Sequence, residues 1–213
     1  MIAKREAAFF VIIIIFGVVV SASAFSLHAT NPLALTMRLL ALNGYISLSI
    51  AVIMTPFLKE ITLFFKKSFT KVHHYFAAAG LAFITLHPIA VAAQSMSLQV
   101  FLPNFNSPYL FFFYGGVIAL ILIYIGLLAV LIKKKIAAYW RLIHMLMYLA
   151  LLVGIMHANL RGIDFQNIAF VIVFDALFVA ALLTFALKRW QFYRIKAHIK
   201  KLHATKVPNG GLK

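Results

Sequence analysis

Six apolar runs, at roughly 7–25, 38–58, 75–97, 110–132, 142–160 and 167–187, occupy most of this 213-residue chain. A helix needs about 20 largely apolar residues to cross the hydrocarbon core of a bilayer, and each run meets that length. A soluble domain carries about a quarter of its residues as charges, whereas here 64% of residues are hydrophobic and 11% are charged. That leaves too little polar surface to cover a water-soluble globule, so the bilayer is the expected solvent. Gly44, Gly80, Pro88 and Gly154 fall inside the runs, as is ordinary in membrane helices. Short connections join the runs. The expectation is an all-α integral membrane protein: one six-transmembrane-helix bundle over 1–187, then a basic tail over 188–213.

The first run follows Lys4 and Arg5 and ends near Ser21-Ala22-Ser23-Ala24. Small residues there look partly like the cleavage site of a secretory signal. The run is long for a signal's apolar region, and we read it as a retained first helix. With no Cys, disulfides, thiolate-bound zinc and protein-ligated iron–sulfur clusters are excluded.

Charge sets the expected topology. Lys4 and Arg5 precede the first run; Lys59, Lys66, Lys67 and Lys71 lie between the second and third; Lys133, Lys134, Lys135 and Arg141 lie between the fourth and fifth. Eight more follow the sixth run, so eighteen of the twenty Lys and Arg fall on one side. The other side has only Arg38 and Arg161, and the 98–109 connection is uncharged. The positive-inside rule then places both termini in the cytoplasm of a multi-pass protein of the plasma or inner membrane. Basic residues so placed orient helices in lipid and give no footprint for nucleic acid, despite a net charge of +16. In the tail, Phe192, Ile195, Ile199 and Leu202 recur at helical spacing among basic residues. Such a pattern fits an interfacial helix on anionic lipid or a docking surface for a cytosolic partner.

Histidine carries the chemistry. Of eight His, His28 lies in an external connection and His198 and His203 lie in the tail; the other five, His73, His74, His87, His144 and His157, fall on only two apolar runs. An ionisable side chain buried in a membrane helix is a candidate functional group by default. His73 and His87 are 14 residues apart, and His144 and His157 are 13 apart. At 1.5 Å per residue each pair is separated by roughly 20 Å along its helix. Both helices run from the cytoplasm outward. His73 lies two residues past Lys71 and His144 three past Arg141, while His87 and His157 each lie sixteen past the same basic residues. Two ligand pairs therefore form at matched depths, one inner and one outer. Neutral imidazole is a standard axial ligand for haem iron, and two stacked bis-His haems b fit this geometry.

Rotation constrains the pairing further. Fourteen residues at 100° each return to within about 40° of the starting face, whereas thirteen leave an error of about 140°. The fifth run must tilt, bend or contain a local π-bulge to aim both rings at one partner helix. The same geometry favours His73 over His74 as the inner ligand, leaving His74 for a propionate or the interface.

The stretch His73-His74-Tyr75-Phe76-Ala77 through Leu86-His87-Pro88 resembles the third helix of ferric reductase-like transmembrane domains. Trp140-Arg141-Leu142-Ile143-His144 through His157 resembles that family's fifth helix, with its 13-residue separation. Arg38, Asn43, Gly44 and Pro56 are similar to its second helix, where an outer-side Arg approaches the outer haem. The family includes the membrane cores of NADPH oxidases and ferric reductases. The resemblance covers the second to sixth runs and implies two non-covalent haems b that carry electrons from the cytoplasmic side outward. Two departures stand. Family members usually continue into a cytosolic FAD and nicotinamide domain, whereas only about 25 residues follow the sixth run, without a glycine-rich dinucleotide fingerprint. Gly also stands at position 80 rather than 77.

The expected function is transmembrane electron transfer by an oxidoreductase-type haem subunit. The inner haem, on His73 and His144, takes electrons from a separate flavoprotein or quinol. The outer haem, on His87 and His157, passes them to an external acceptor. Arg38 is a candidate cation for an outer propionate and equally an interfacial anchor. Asp175 is a candidate proton relay or counter-charge for Arg38 or Arg161, against a structural role in joining helices. Phe83, Trp140 and Tyr148 are candidates to lie near the haems, or else to serve as packing. Two other readings remain: a haem-free transporter or proton channel working through these His, and a quinol-oxidising dihaem cytochrome b.

Overall fold

The computed structural model describes residues 31–206 together with Gly17, Val20 and Ser21, with side chains as far as Ile199. The expected first span, apart from those three residues, and His28 lie outside the described residues, as does the His203 side chain. The described chain is helical throughout and has no strand: α1 (Pro32–Ile53), α2 (Leu58–Phe65), α3 (Phe69–Ser95), α4 (Pro108–Phe113), α5 (Gly115–Leu131), α6 (Trp140–His144), α7 (Leu146–Arg161) and α8 (Ile168–Lys206). Short 3-10 turns at Leu98–Phe101 and Ile163–Gln166 serve as connectors.

Four stretches are long and apolar enough to cross a bilayer: α1, α3, α6 with α7 (Trp140–Arg161), and α8 from Ile168 to Ile199. The fold is all-α and has the character of a membrane protein. The expected fourth span differs. It divides at Tyr114 into a six-residue α4 and a 17-residue α5, the latter at the short end of the length that spans a bilayer. Two glycines, Gly115 and Gly116, follow the break, and glycine weakens a helix at the point where a kink is needed.

Local chemistry sets the other ends. Asn31 caps α1 by accepting from the Leu33 amide at 2.8 Å, with Pro32 in the first helical position. Pro56 ends α1 earlier than the apolar run suggests, because the residue before a proline is pushed out of the helical region. Ser107 and Pro108 repeat the same start at α4. The tail is not a separate element: α8 passes through Lys188 without interruption as far as Lys206.

Antiparallel neighbours pack closely. Between α1 and α3, a Cβ on Gly44 would lie 2.8 Å from Ile84 Cγ1. Gly80 presses against Leu48 on α1; the departure at this position therefore serves helix contact. Tyr45 and Phe174 join α1 to α8 with ring centroids 5.8 Å apart. Tyr45, Ile46, Leu151, Ile155 and Phe174 lie in one buried apolar cluster.

Candidate functional site: four histidines around one cavity

The helices enclose a cavity of about 1330 Å³ lined chiefly by apolar side chains. Ligand pockets for drug-sized molecules run to about 1,000 Å³, so this space exceeds what one such molecule fills. His73, His87, His144 and His157 all line it. His74 does not line it and is exposed, its ring 6.0 Å from that of His73. The backbone thus separates the two adjacent His, sending one inward and one outward.

Each lining His is held in the same way. His73 Nδ1 bonds the Ala51 carbonyl at 2.9 Å, and His87 Nδ1 bonds the Met37 carbonyl at 2.9 Å. His144 Nδ1 approaches the Gly126 carbonyl at 3.3 Å, and His157 Nδ1 the Phe113 carbonyl at 2.8 Å. A carbonyl only accepts, so Nδ1 carries the proton in all four and neutral imidazole keeps its lone pair on Nε2. Hydrogen bonds of this kind fix the tautomer and ring orientation of metal-ligating His.

The spacing of these bonds shows how the site is built. Fourteen residues separate His73 from His87, and fourteen separate their acceptors Ala51 and Met37 on the antiparallel α1. Thirteen separate His144 from His157, and thirteen separate Gly126 from Phe113. Two helix hairpins, α1 with α3 and α4–α5 with α6–α7, thus carry the same device. Ala51 lies in the last turn of α1 and Phe113 ends α4, where carbonyls have no intrahelical partner. Met37 and Gly126 lie within helices, where a second lone pair accepts the imidazole.

Part of the rotation expected to spoil the 13-residue pair is taken up at Met145. There the helix is interrupted directly after His144, and Tyr148 N–H bonds back only three residues, to Met145 O at 3.1 Å. A tighter 3-10 turn adds rotation per residue, which moves His157 toward the face of His144. No π-helix interrupts this stretch.

The lining His also act on one another electrostatically. His144 lies within electrostatic range of His73, and His87 within range of His157. Lys188 is close enough to act on both inner rings, and Arg161 on both outer rings. Both cations also line the cavity. Phe69 stacks on the His73 ring at 5.6 Å, and the Trp140 ring lies 6.5 Å from that of His144. Trp140 and Tyr148 are cavity walls; Phe83 is not.

Arg38 lines the outer end of the cavity, but it also pairs with Asp164, its Nε donating to Oδ2 at 3.1 Å. Asp164 is 4% exposed. Asp175 is not the partner of Arg38. It accepts from Asn159 Nδ2 at 2.9 Å and joins α7 to α8. Sequence reasoning passed over Asp164, Lys188 and the role of Arg161. A signal did exist for the first: the chain has four acidic residues in all, and Asp164 is three residues from Arg161.

Comparison with family models, curated proteins and solved structures returned no match.

Proposed function

We propose that the chain is a dihaem cytochrome b that carries electrons across a membrane, built like the ferric reductase-like transmembrane domains it resembles. The observation that carries this reading is the fourfold repeat of one arrangement: an imidazole on the cavity wall, Nδ1 bonded to a neighbouring helix carbonyl, Nε2 left with its lone pair. Among the described residues no group of three or more His, Asp or Glu could hold a metal ion. Pairs of imidazoles need a further ligand set, and a porphyrin provides one.

Haem b, when bound, supplies reversible one-electron reduction of its iron. The chain does the rest. His73 and His144 would hold the inner group, His87 and His157 the outer one. Apolar walls exclude water and favour electron passage over proton leakage. Lys188 at the inner end and Arg161 at the outer end offset carboxylate charge, as charge-assisted contacts do. Arg38, already bound to Asp164, serves first to tie α1 to the Ile163–Gln166 turn at the outer end of the cavity. In this reading six helices span the plasma or inner membrane with both termini cytoplasmic, on the charge asymmetry of the connections. A soluble or quinol donor acts on the inside and an acceptor outside.

The test is an absorption spectrum of detergent-purified protein, oxidised and dithionite-reduced, with haem quantified per chain. Two haems b per chain with bis-His spectra are expected. A colourless protein from haem-replete cells would overturn the reading in favour of a His-dependent transporter.

A further inference from the structure

Helix α8 continues well past the length that a bilayer requires. Its 39 residues extend about 58 Å at 1.5 Å per residue, against a hydrocarbon core of about 30 Å. Residues from Lys188 to Lys206 therefore form a projecting rod of about 28 Å in line with the membrane segment. On this rod Phe192, Ile195 and Ile199 fall within about 60° of one another, and they are 58%, 62% and 48% exposed. Lys196 and Arg189 lie about 40° and 60° from Phe192 on one side of this stripe, and Arg194 lies on the far face of the rod.

The stripe is continuous with the cavity. Lys188, Arg189 and Phe192 line it, with Lys188 near His73 and His144. The root of the rod is also fixed. Arg189 Nη2 reaches Met145 Sδ at 3.4 Å, and Tyr148 packs on Phe185 with centroids 4.7 Å apart. Anionic lipid is the other occupant to consider. A stripe that begins at the cavity wall and rises in line with a spanning helix leaves the lipid surface within about two turns. Its surroundings, moreover, are basic on every nearby connection, with Lys66, Lys67, Lys71, Lys133, Lys134, Lys135 and Arg141 on the same side.

We propose that the projecting end of α8 docks an acidic, soluble one-electron carrier protein and holds it at the inner end of the cavity. The basic residues of the rod steer the carrier's acidic face, and the apolar stripe gives the contact its dry centre. In each encounter the reduced carrier is oxidised by one electron and one ferric haem iron is reduced, with no bond made or broken and no proton required. The destination of the electron rests on the dihaem reading; the docking does not.

The experiment uses the full chain in phosphatidylcholine nanodiscs and reduced plant-type ferredoxin as the acidic carrier. Stopped-flow reduction of the protein should be fast at low salt and fall steeply as salt rises. Arg194→Glu with Lys196→Glu should slow it about tenfold or more and remove the salt dependence, while haem content and dithionite reduction stay unchanged. Equal rates in the variant, or a wild-type protein that dithionite reduces and ferredoxin does not, would overturn the proposal. The chain has no Cys, so Ile199→Cys accepts a single spin label. In nanodiscs that also contain anionic phosphatidylglycerol, a label that collides with lipid-dissolved oxygen more than with an aqueous nickel chelate would place the stripe on the bilayer and overturn the proposal too. If the protein binds no haem, co-sedimentation of ferredoxin with nanodiscs at low salt still reads the docking, so the two failures are distinct.

Discussion

His157 donates its Nδ1 proton to the carbonyl of Phe113 at 2.8 Å, and Phe113 is the last residue of α4. The interruption at Tyr114 that shortens the expected fourth span is thus the same feature that frees an acceptor for the outer imidazole. A continuous helix would share that carbonyl with its own backbone. What looks like a flaw in a spanning segment is how this chain orients one of its four rings.

Removing single imidazoles should separate the two levels. His87→Ala or His157→Ala should lower haem from two to about one per chain and leave the inner group, and His73→Ala or His144→Ala the reverse. His74→Ala should leave haem content unchanged, because its side chain is exposed away from the cavity. Pyridine haemochrome assays of the five variants check this; loss of haem in His74→Ala would exchange the roles of His73 and His74.

Gly116→Ala opposes two effects. Alanine in a helix is favoured over glycine by about 1 kcal/mol, but its Cβ would lie 3.0 Å from His157 Nε2 and 3.2 Å from Cδ2. The ring has little freedom to yield, because Nδ1 is fixed to Phe113. Thermal stability should hold or rise while the outer group is lost or its spectrum shifts. Gly126→Ala meets only the methyl end of Met147 as a close neighbour, a flexible group, and should retain both groups.

Asp164→Ala should destabilise the protein by about 3–5 kcal/mol, the usual cost of removing one partner of a buried ion pair. The side chains of Arg38 and Asp164 are 9% and 5% exposed. Replacing both, Arg38→Met with Asp164→Leu, should restore much of the loss. Thermal unfolding in detergent measures the difference, and a double variant as weak as the single one would mean that the pair does more than neutralise itself.

Asp175→Leu removes the bond from Asn159 and should cost about 0.6 kcal/mol, at most about 1.7, as interhelical hydrogen bonds in membranes do. Asp175→Asn keeps an acceptor and should cost less. Electron transfer to an external acceptor should survive both; its loss at unchanged haem content would show that Asp175 acts as a relay.

Much of the architecture was legible in the sequence. Apolar length marked the helices of α1, α3, α6–α7 and α8, because burial in lipid depends on composition over a window and tolerates errors in the ends. Helix starts at Asn31-Pro32 and Ser107-Pro108 were there to be read, since caps are local. The division at Tyr114 was hidden inside a run apolar enough to pass for one span, and Gly115 and Gly116 were its only mark. The continuation of α8 past Lys188 was obscured by the change from apolar to basic residues, which signals leaving lipid and says nothing about leaving the helix.

For the site, the sequence by itself determined which imidazoles exist, how far apart they lie along each helix, and that two levels match in depth. Those follow from counting residues at a fixed rise. Tertiary structure alone decided which ring nitrogen carries the proton, that His73 turns inward and His74 outward, and that Arg38 is bound to Asp164. Each of these depends on a carbonyl or carboxylate brought from another part of the chain, and such contacts have no fixed period along the sequence.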